Sequence, residues 1–98
     1  MSIITARVLI ATPARYMTRL AKHFEHRLSV IRDERTATVT FPDGVCRLSV
    51  TDQELDISIE SSVEQSLSRY QEVVVRHLKQ VASQESFEVV WERGTSAG

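Results

Sequence analysis

The chain is poor in the residues that staple, break or loosen a fold: it has one cysteine, two prolines, three glycines and one tryptophan among 98 residues. The single cysteine, Cys46, excludes an internal disulfide framework and suits a reducing compartment, so a cytoplasmic location is expected. With so little glycine there is no phosphate-cradling loop, and no serine nucleophile elbow or paired cysteine motif occurs. No apolar run approaches the ~20 residues that span a bilayer. Met1 to Ile10 carries Arg7 within its apolar stretch and has no basic leader, so neither a signal peptide nor a membrane partner is expected.

Charge of one sign is also missing, since the formal net charge is −1. Its placement is uneven: residues 1–35 carry seven Lys/Arg against three acids, and residues 36–98 carry five against ten. Folding these halves together makes a bipolar surface rather than the concentrated positive footprint that nucleic acid needs, so no nucleic-acid partner is expected. Hydrophobic content of 42% with 26% charge is that of a folded globular chain. The length fits one domain, expected over residues 1–92, with a flexible C-terminal tail at 93–98.

What is present is periodicity. From Ser62 to Ala82, the residues Val63, Leu67, Tyr70, Val74, Leu78 and Val81 recur at three- and four-residue spacing, which predicts an amphipathic helix. The pairs Ser61/Glu64 and Ser62/Gln65 each fit a capping box at its start. A second helix is expected from Pro13 to about Arg27, with Thr12 as cap and Pro13 at the first helical position, burying Tyr16, Met17, Leu20, Ala21 and Phe24.

The rest alternates with period two. Strands are expected at Ile3 to Ile10, Ser29 to Arg32, Thr36 to Phe41, Val45 to Val50, Glu54 to Glu60 and Ser86 to Glu92. Pro42-Asp43-Gly44 reads as a turn in which glycine takes the left-handed position. The order β-α-β-β-β-β-α-β, with one apolar and one polar strand face, predicts a two-layer α+β domain: a curved, mostly antiparallel sheet with two helices on one face. Leu9 and Val90 fall on the polar face and would mark a homodimer seam if the terminal strands pair.

Residues able to carry chemistry are few. His23 and His26 are three apart on the first helix, while His77 flanks the apolar stripe of the second beside Tyr70. If its strand keeps register, Cys46 points toward the helices, where it could meet His23 and His77 as a metal or nucleophile cluster; the plainer role for a buried thiol is packing. Arg15, Arg19, Lys22 and Arg27 form a basic flank on the first helix, read as a solvated face or an anion site.

The segments Arg15-Tyr16 through Leu20, His23 and His26-Arg27, then Phe41-Pro42-Asp43-Gly44-Val45-Cys46-Arg47-Leu48, then His77-Leu78 and Glu85 to Trp91 resemble the bacterial domain family of unknown function numbered 2218. The resemblance covers about Ile4 to Trp91 and implies a helix-grip, TATA-binding-protein-like shape. It also draws attention to Arg15, Tyr16, His23, His26, Gly44, Cys46, His77 and Glu85. Relatives joined to siderophore-interacting flavin reductases would imply such a reductase as partner and an accessory role in iron handling. Gln80 to Glu85 departs from the family's basic and aromatic residues there, so an anion site built on those arginines does not carry over.

Three function classes follow. The first is a small non-catalytic binding or accessory module, with Arg15, Tyr16, His23, Cys46, His77 and Glu85 as candidate ligand-binding residues and no cofactor. The second is a metal- or haem-binding protein using His23, Cys46 and His77. The third is a small enzyme with a Cys/His site oriented by an acid such as Glu85.

Overall fold

The computed structural model describes residues 2–94. Strand β1 (Ser2–Leu9) leads to helix α1 (Pro13–Glu25), four strands follow as β2 (Ser29–Arg32), β3 (Thr36–Phe41), β4 (Gly44–Val50) and β5 (Glu54–Ser61), and helix α2 (Glu64–Val81) precedes β6 (Trp91–Gly94). The strands form one antiparallel sheet in the order β2-β3-β4-β5-β1-β6. Both helices pack on one face of this sheet, as the alternation predicts.

The core sits between the layers. Ile4, Ala6 and Val8 of β1, Ala37 and Val39 of β3, Cys46, Leu48 and Val50 of β4, and Leu55, Ile57 and Ile59 of β5 are all buried. They meet Met17, Leu20 and Ala21 of α1 and Leu67, Val74 and Leu78 of α2. Residues between them in sequence face outward, because a pleated strand sends successive side chains to opposite faces. On that open face Arg7 lies opposite Asp56 in the β1–β5 ladder, with 3.3 Å between Nε and Oδ1. Arg7 also reaches Glu54 at 3.6 Å, and Arg47 reaches Glu60 at 3.9 Å. Arginine is thus matched by acid across the strands.

The ends of the elements depart from expectation at four places. Thr12 holds the N-cap position of α1 but at φ 46°, with no side-chain cap; its carbonyl accepts from the Arg15 and Tyr16 amides instead. Helix α2 begins at Glu64, preceded by extended Val63, and neither expected capping box forms. The Ser61 hydroxyl is drawn away: it accepts from the Val63 amide at 3.0 Å and donates to the Asp43 carbonyl at 2.6 Å. Gly44 has no positive φ. Glycine is required there by close approach, since an added Cβ would sit 2.7 Å from the Glu60 carbonyl oxygen and 3.1 Å from the Tyr70 ring.

The fourth departure is the last strand. Ladder pairing begins only at Trp91, although Phe87, Val89 and Trp91 pack on the core while Glu88, Val90 and Glu92 are exposed. The alternation over residues 86–90 therefore belongs to a chain lying on the core without ladder bonds. Arg93 and Gly94, expected to open a flexible tail, pair with Ile4 and Ile3; residues 95–98 of that expected tail lie outside the described residues. The terminal strands do pair with each other, and Leu9 and Val90 are 68% and 65% exposed. Glu64 holds this corner, accepting from Ser2 Oγ at 2.7 Å and from the Arg93 guanidinium, which brings its carboxyl down to about 2. Among the described residues, no helix is long and apolar enough to cross a membrane.

The central stripe of α2 yields a direct test. Leu78 is fully buried and Lys79 is exposed. Leu78→Ala should lower unfolding stability by about 2–5 kcal/mol through lost transfer energy and a residual cavity, whereas Lys79→Ala should cost under about 0.5 kcal/mol. Urea melts of the two variants read the difference, and equal midpoints would contradict this packing.

Candidate functional site

Where α1 ends, the chain leaves a cleft of about 670 Å³ against α2 and the β3–β4 hairpin. Its apolar wall is Phe24 from the last turn of α1, Leu28 from the turn that follows it, Phe41 from β3, and Tyr70 and Val73 from α2. Phe41 and Tyr70 are stacked with centroids 4.1 Å apart, and Phe24 meets Phe41 edge-on at 6.0 Å. The polar groups at the cleft are His23, His26 and Arg27 on one side and Arg69 and His77 on the other. Among the described residues, no acidic side chain lines it. The volume and the mixture of apolar wall and few polar groups are those of a small-molecule site.

Two of the candidate residues meet here. The rings of His23 and His77 lie 4.5 Å apart between centroids, and His77 also packs against Phe24 at 5.3 Å. His77 Nδ1 is 2.6 Å from the Val73 carbonyl oxygen. A carbonyl only accepts, so Nδ1 carries the proton and, in the neutral ring, Nε2 is left as the acceptor. Desolvation against the neighbouring helix lowers the pKa of His23 from its usual 6.5, and the neighbouring His77 and His26 lower it further.

Behind the aromatic wall lies a polar hub whose parts the sequence did not join. Asp43, in the turn between β3 and β4, accepts from Ser66 Oγ at 2.5 Å and from the Tyr70 hydroxyl, and its backbone carbonyl accepts from Ser61 Oγ. The two side-chain hydrogen bonds hold the Asp43 carboxyl below its ordinary range, while burial and the same bond hold the Tyr70 phenol above its own. Tyr70 is thereby fixed as a neutral donor, with its ring against Phe41. The available signal was Ser66 and Tyr70 themselves: they are one turn apart on the buried face of α2, and buried hydroxyls require a partner. Phe41 and Arg69 were likewise not singled out as site residues.

The remaining candidates lie elsewhere. Cys46 is fully buried in the core, opposite Val39 and Ile59 in the ladders, and burial pushes its thiol up to about 12. Its strand does keep register, but the thiol packs among aliphatic side chains and the expected trio of His23, Cys46 and His77 is not assembled as a metal set. Among the described residues, no group of three or more His, Cys, Asp or Glu side chains is placed to hold a metal ion. Arg15 is exposed in the first turn of α1 beside a groove that includes Arg35 and Asp52, at the opposite end of the helix from His23. Tyr16 is buried under the Arg19 guanidinium, 5.9 Å from its ring centroid. Glu85 sits in the turn after α2, where its amide donates to the Ala82 carbonyl, and it does not line the cleft.

The geometry also offers a groove of about 610 Å³ on the open sheet face, lined by Thr5, Arg7, Arg47, Ser49, Asp56, Ser58 and Glu92 among others. Its arginines are already engaged by carboxylates. The aromatic cleft is the better candidate because, among the described residues, its arginines make no ion pair.

Comparison with known proteins adds kinship. A family model described as "Uncharacterized protein conserved in bacteria (DUF2218)" matches residues 5–92. The NMR structure of PA4090 from Pseudomonas aeruginosa is similar at 33% sequence identity and a TM-score of 0.80, with 94% of this chain and 96% of that one covered. No curated protein matches the chain.

Two measurements check the site. Native Cys46 should resist a thiol reagent at neutral pH and react fully once the chain is unfolded, because the thiolate is the nucleophile and burial suppresses it. In an NMR titration, the His23 imidazole should gain its proton below pH 6.5, and His77→Gln should move that midpoint up. Since the unfolded chain takes this proton first, His23 makes the fold less stable as pH falls below 6.5.

Proposed function

The chain belongs to the DUF2218 family, and from that footing we propose that it is a small, non-catalytic binding or accessory module whose ligand occupies the cleft between the end of α1 and α2. The observation that carries this reading is the pairing of a stacked aromatic wall with a His23–His77 contact in one opening. His23 and His77 are the ligand-binding residues of the six candidates that the reading keeps in contact with ligand. Tyr16 supports α1 from within the core, Cys46 packs the sheet, and Arg15 and Glu85 lie outside the cleft.

A binding role is favoured over an enzymatic one by what the histidines touch. His77 spends its Nδ1 proton on a backbone carbonyl of its own helix, so no acid orients it as a base. The metal or haem reading loses its sulfur ligand to the core, which leaves two facing imidazoles. The proposal treats the protein as one domain with a helix-grip, TATA-binding-protein-like sheet, supported by two helices lying on one face. An accessory role in iron-siderophore handling, with a siderophore-interacting reductase as partner, is the biological setting that the family resemblance adds.

The proposal is tested by titrating the ¹⁵N-labelled protein with small aromatic fragments of mixed charge. Amide shifts should concentrate on His23, Tyr70, Val73 and His77. Val73→Trp, which fills the opening from the α2 side, should abolish them while leaving the melting temperature within a few degrees. Shifts confined to the open face around Arg7 and Arg47, or none at any charge, would refute it.

A further inference from the structure

Resting on the reading of this cleft as a ligand site, we infer that its ligand is a small aromatic anion, a planar ring system bearing a carboxylate or a comparable negative group. The inference comes from how charge and ring faces are divided within the opening. Arg27 and Arg69 flank it from the two sides, and among the described residues neither has a carboxylate within ion-pair distance.

Two acids close to these arginines are occupied elsewhere. Asp43, close enough to feel the charge of Arg69, accepts hydrogen bonds from Ser66 and Tyr70. Glu25, at the end of α1, is bound to Arg32 at 2.7 Å. The C-terminus of α1 brings partial negative charge toward the opening, but the Phe24 carbonyl there already accepts from the Arg27 and Leu28 amides. Two permanent guanidinium charges with no engaged counter-charge favour an anion, and their planar forks suit a carboxylate.

The wall decides the rest of the ligand. Phe41 and Tyr70 stack face to face in the wall of the opening, and the hydrogen bond to Asp43 prevents the Tyr70 ring from turning away. A fixed aromatic wall loses little freedom when another ring packs against it, whereas a flexible aliphatic chain must be ordered. His23 and His77 complete the opening as further ring faces and as hydrogen-bonding groups.

An isosteric series separates this inference from the broader reading. The probes are 2-naphthoate, its neutral amide and the cationic 2-naphthylmethylamine, followed by NMR at pH 7 and low salt, with octanoate as an aliphatic anion. The expected result is at least tenfold tighter binding of 2-naphthoate than of the other three, with shifts at His23, Tyr70 and His77. Arg27→Gln/Arg69→Gln should erase the preference for 2-naphthoate over the amide without changing the melting temperature. If the amide or the amine binds in the cleft as tightly as 2-naphthoate, the anion inference is overturned while the ligand site stands. If octanoate matches 2-naphthoate, the requirement for an aromatic ring is overturned. If none of the four shifts the cleft residues, both the inference and the reading beneath it fail.

Discussion

One constraint governs this molecule: a six-stranded sheet with one apolar face has only two helices to cover it. Strands about 4.8 Å apart make a sheet roughly 24 Å across. Two helices packed at 8–10 Å spacing, each about 10 Å wide, cover only about 20 Å. Coverage is therefore nearly complete along the middle strands and runs short toward β2 and β6. At the β2–β3 side α1 ends at Glu25, and what continues the cover is a set of single side chains, Phe24, Leu28 and Phe41. The cleft is the place where the second layer stops before the first one does. At the other side the extended chain from Phe87 to Trp91 supplies the missing cover.

Such an opening would collapse or drift without an anchor, and Asp43 provides one. A two-residue turn places its carboxylate over the start of α2, where Ser66 and Tyr70 reach it, while Ser61 joins the same turn through the backbone. The hairpin, the end of β5 and the second helix are thus tied at one point. Gly44 follows from this closeness, because the space a methyl group would need is filled by the Glu60 carbonyl and the Tyr70 ring. The buried polar cluster is fully satisfied, which is the condition under which such a network adds specificity rather than cost.

Element type and facing were legible in the sequence because burial writes itself as periodicity. Thr36–Phe41 and Ser29–Arg32 have the bounds that their alternation implies, and the buried residues of α2 follow its stripe. Strand order was not legible, since alternation says which face is buried and not which strand is adjacent; β1 lies between β5 and β6 through pairings that no local pattern encodes. The start of α2 was misread for a related reason. Ser61 has the right chemistry to cap α2, but a tertiary partner, the Asp43 carbonyl, competes for the same hydroxyl. At the site, His23 and His77 could be placed on facing helices from sequence. Arg69 and Phe41 could not, because their roles arise only when the hairpin meets the helix.

The position of β1 has a kinetic consequence. Its two neighbours come from far along the chain: the β1–β5 register joins Ile3 to Glu60, and the β1–β6 register joins Ile3 to Gly94. The hairpins β2–β3, β3–β4 and β4–β5 close short loops and can form early, whereas β1 must wait for distant segments and carries a greater loss of chain entropy. A folding route follows in which a four-stranded meander comes first, β1 docks on β5, and β6 seals the sheet last. Of the strand edges that end up paired, the edge of β1 that β6 covers is then the last to find hydrogen-bond partners, and a point at which a half-folded chain is open to joining another.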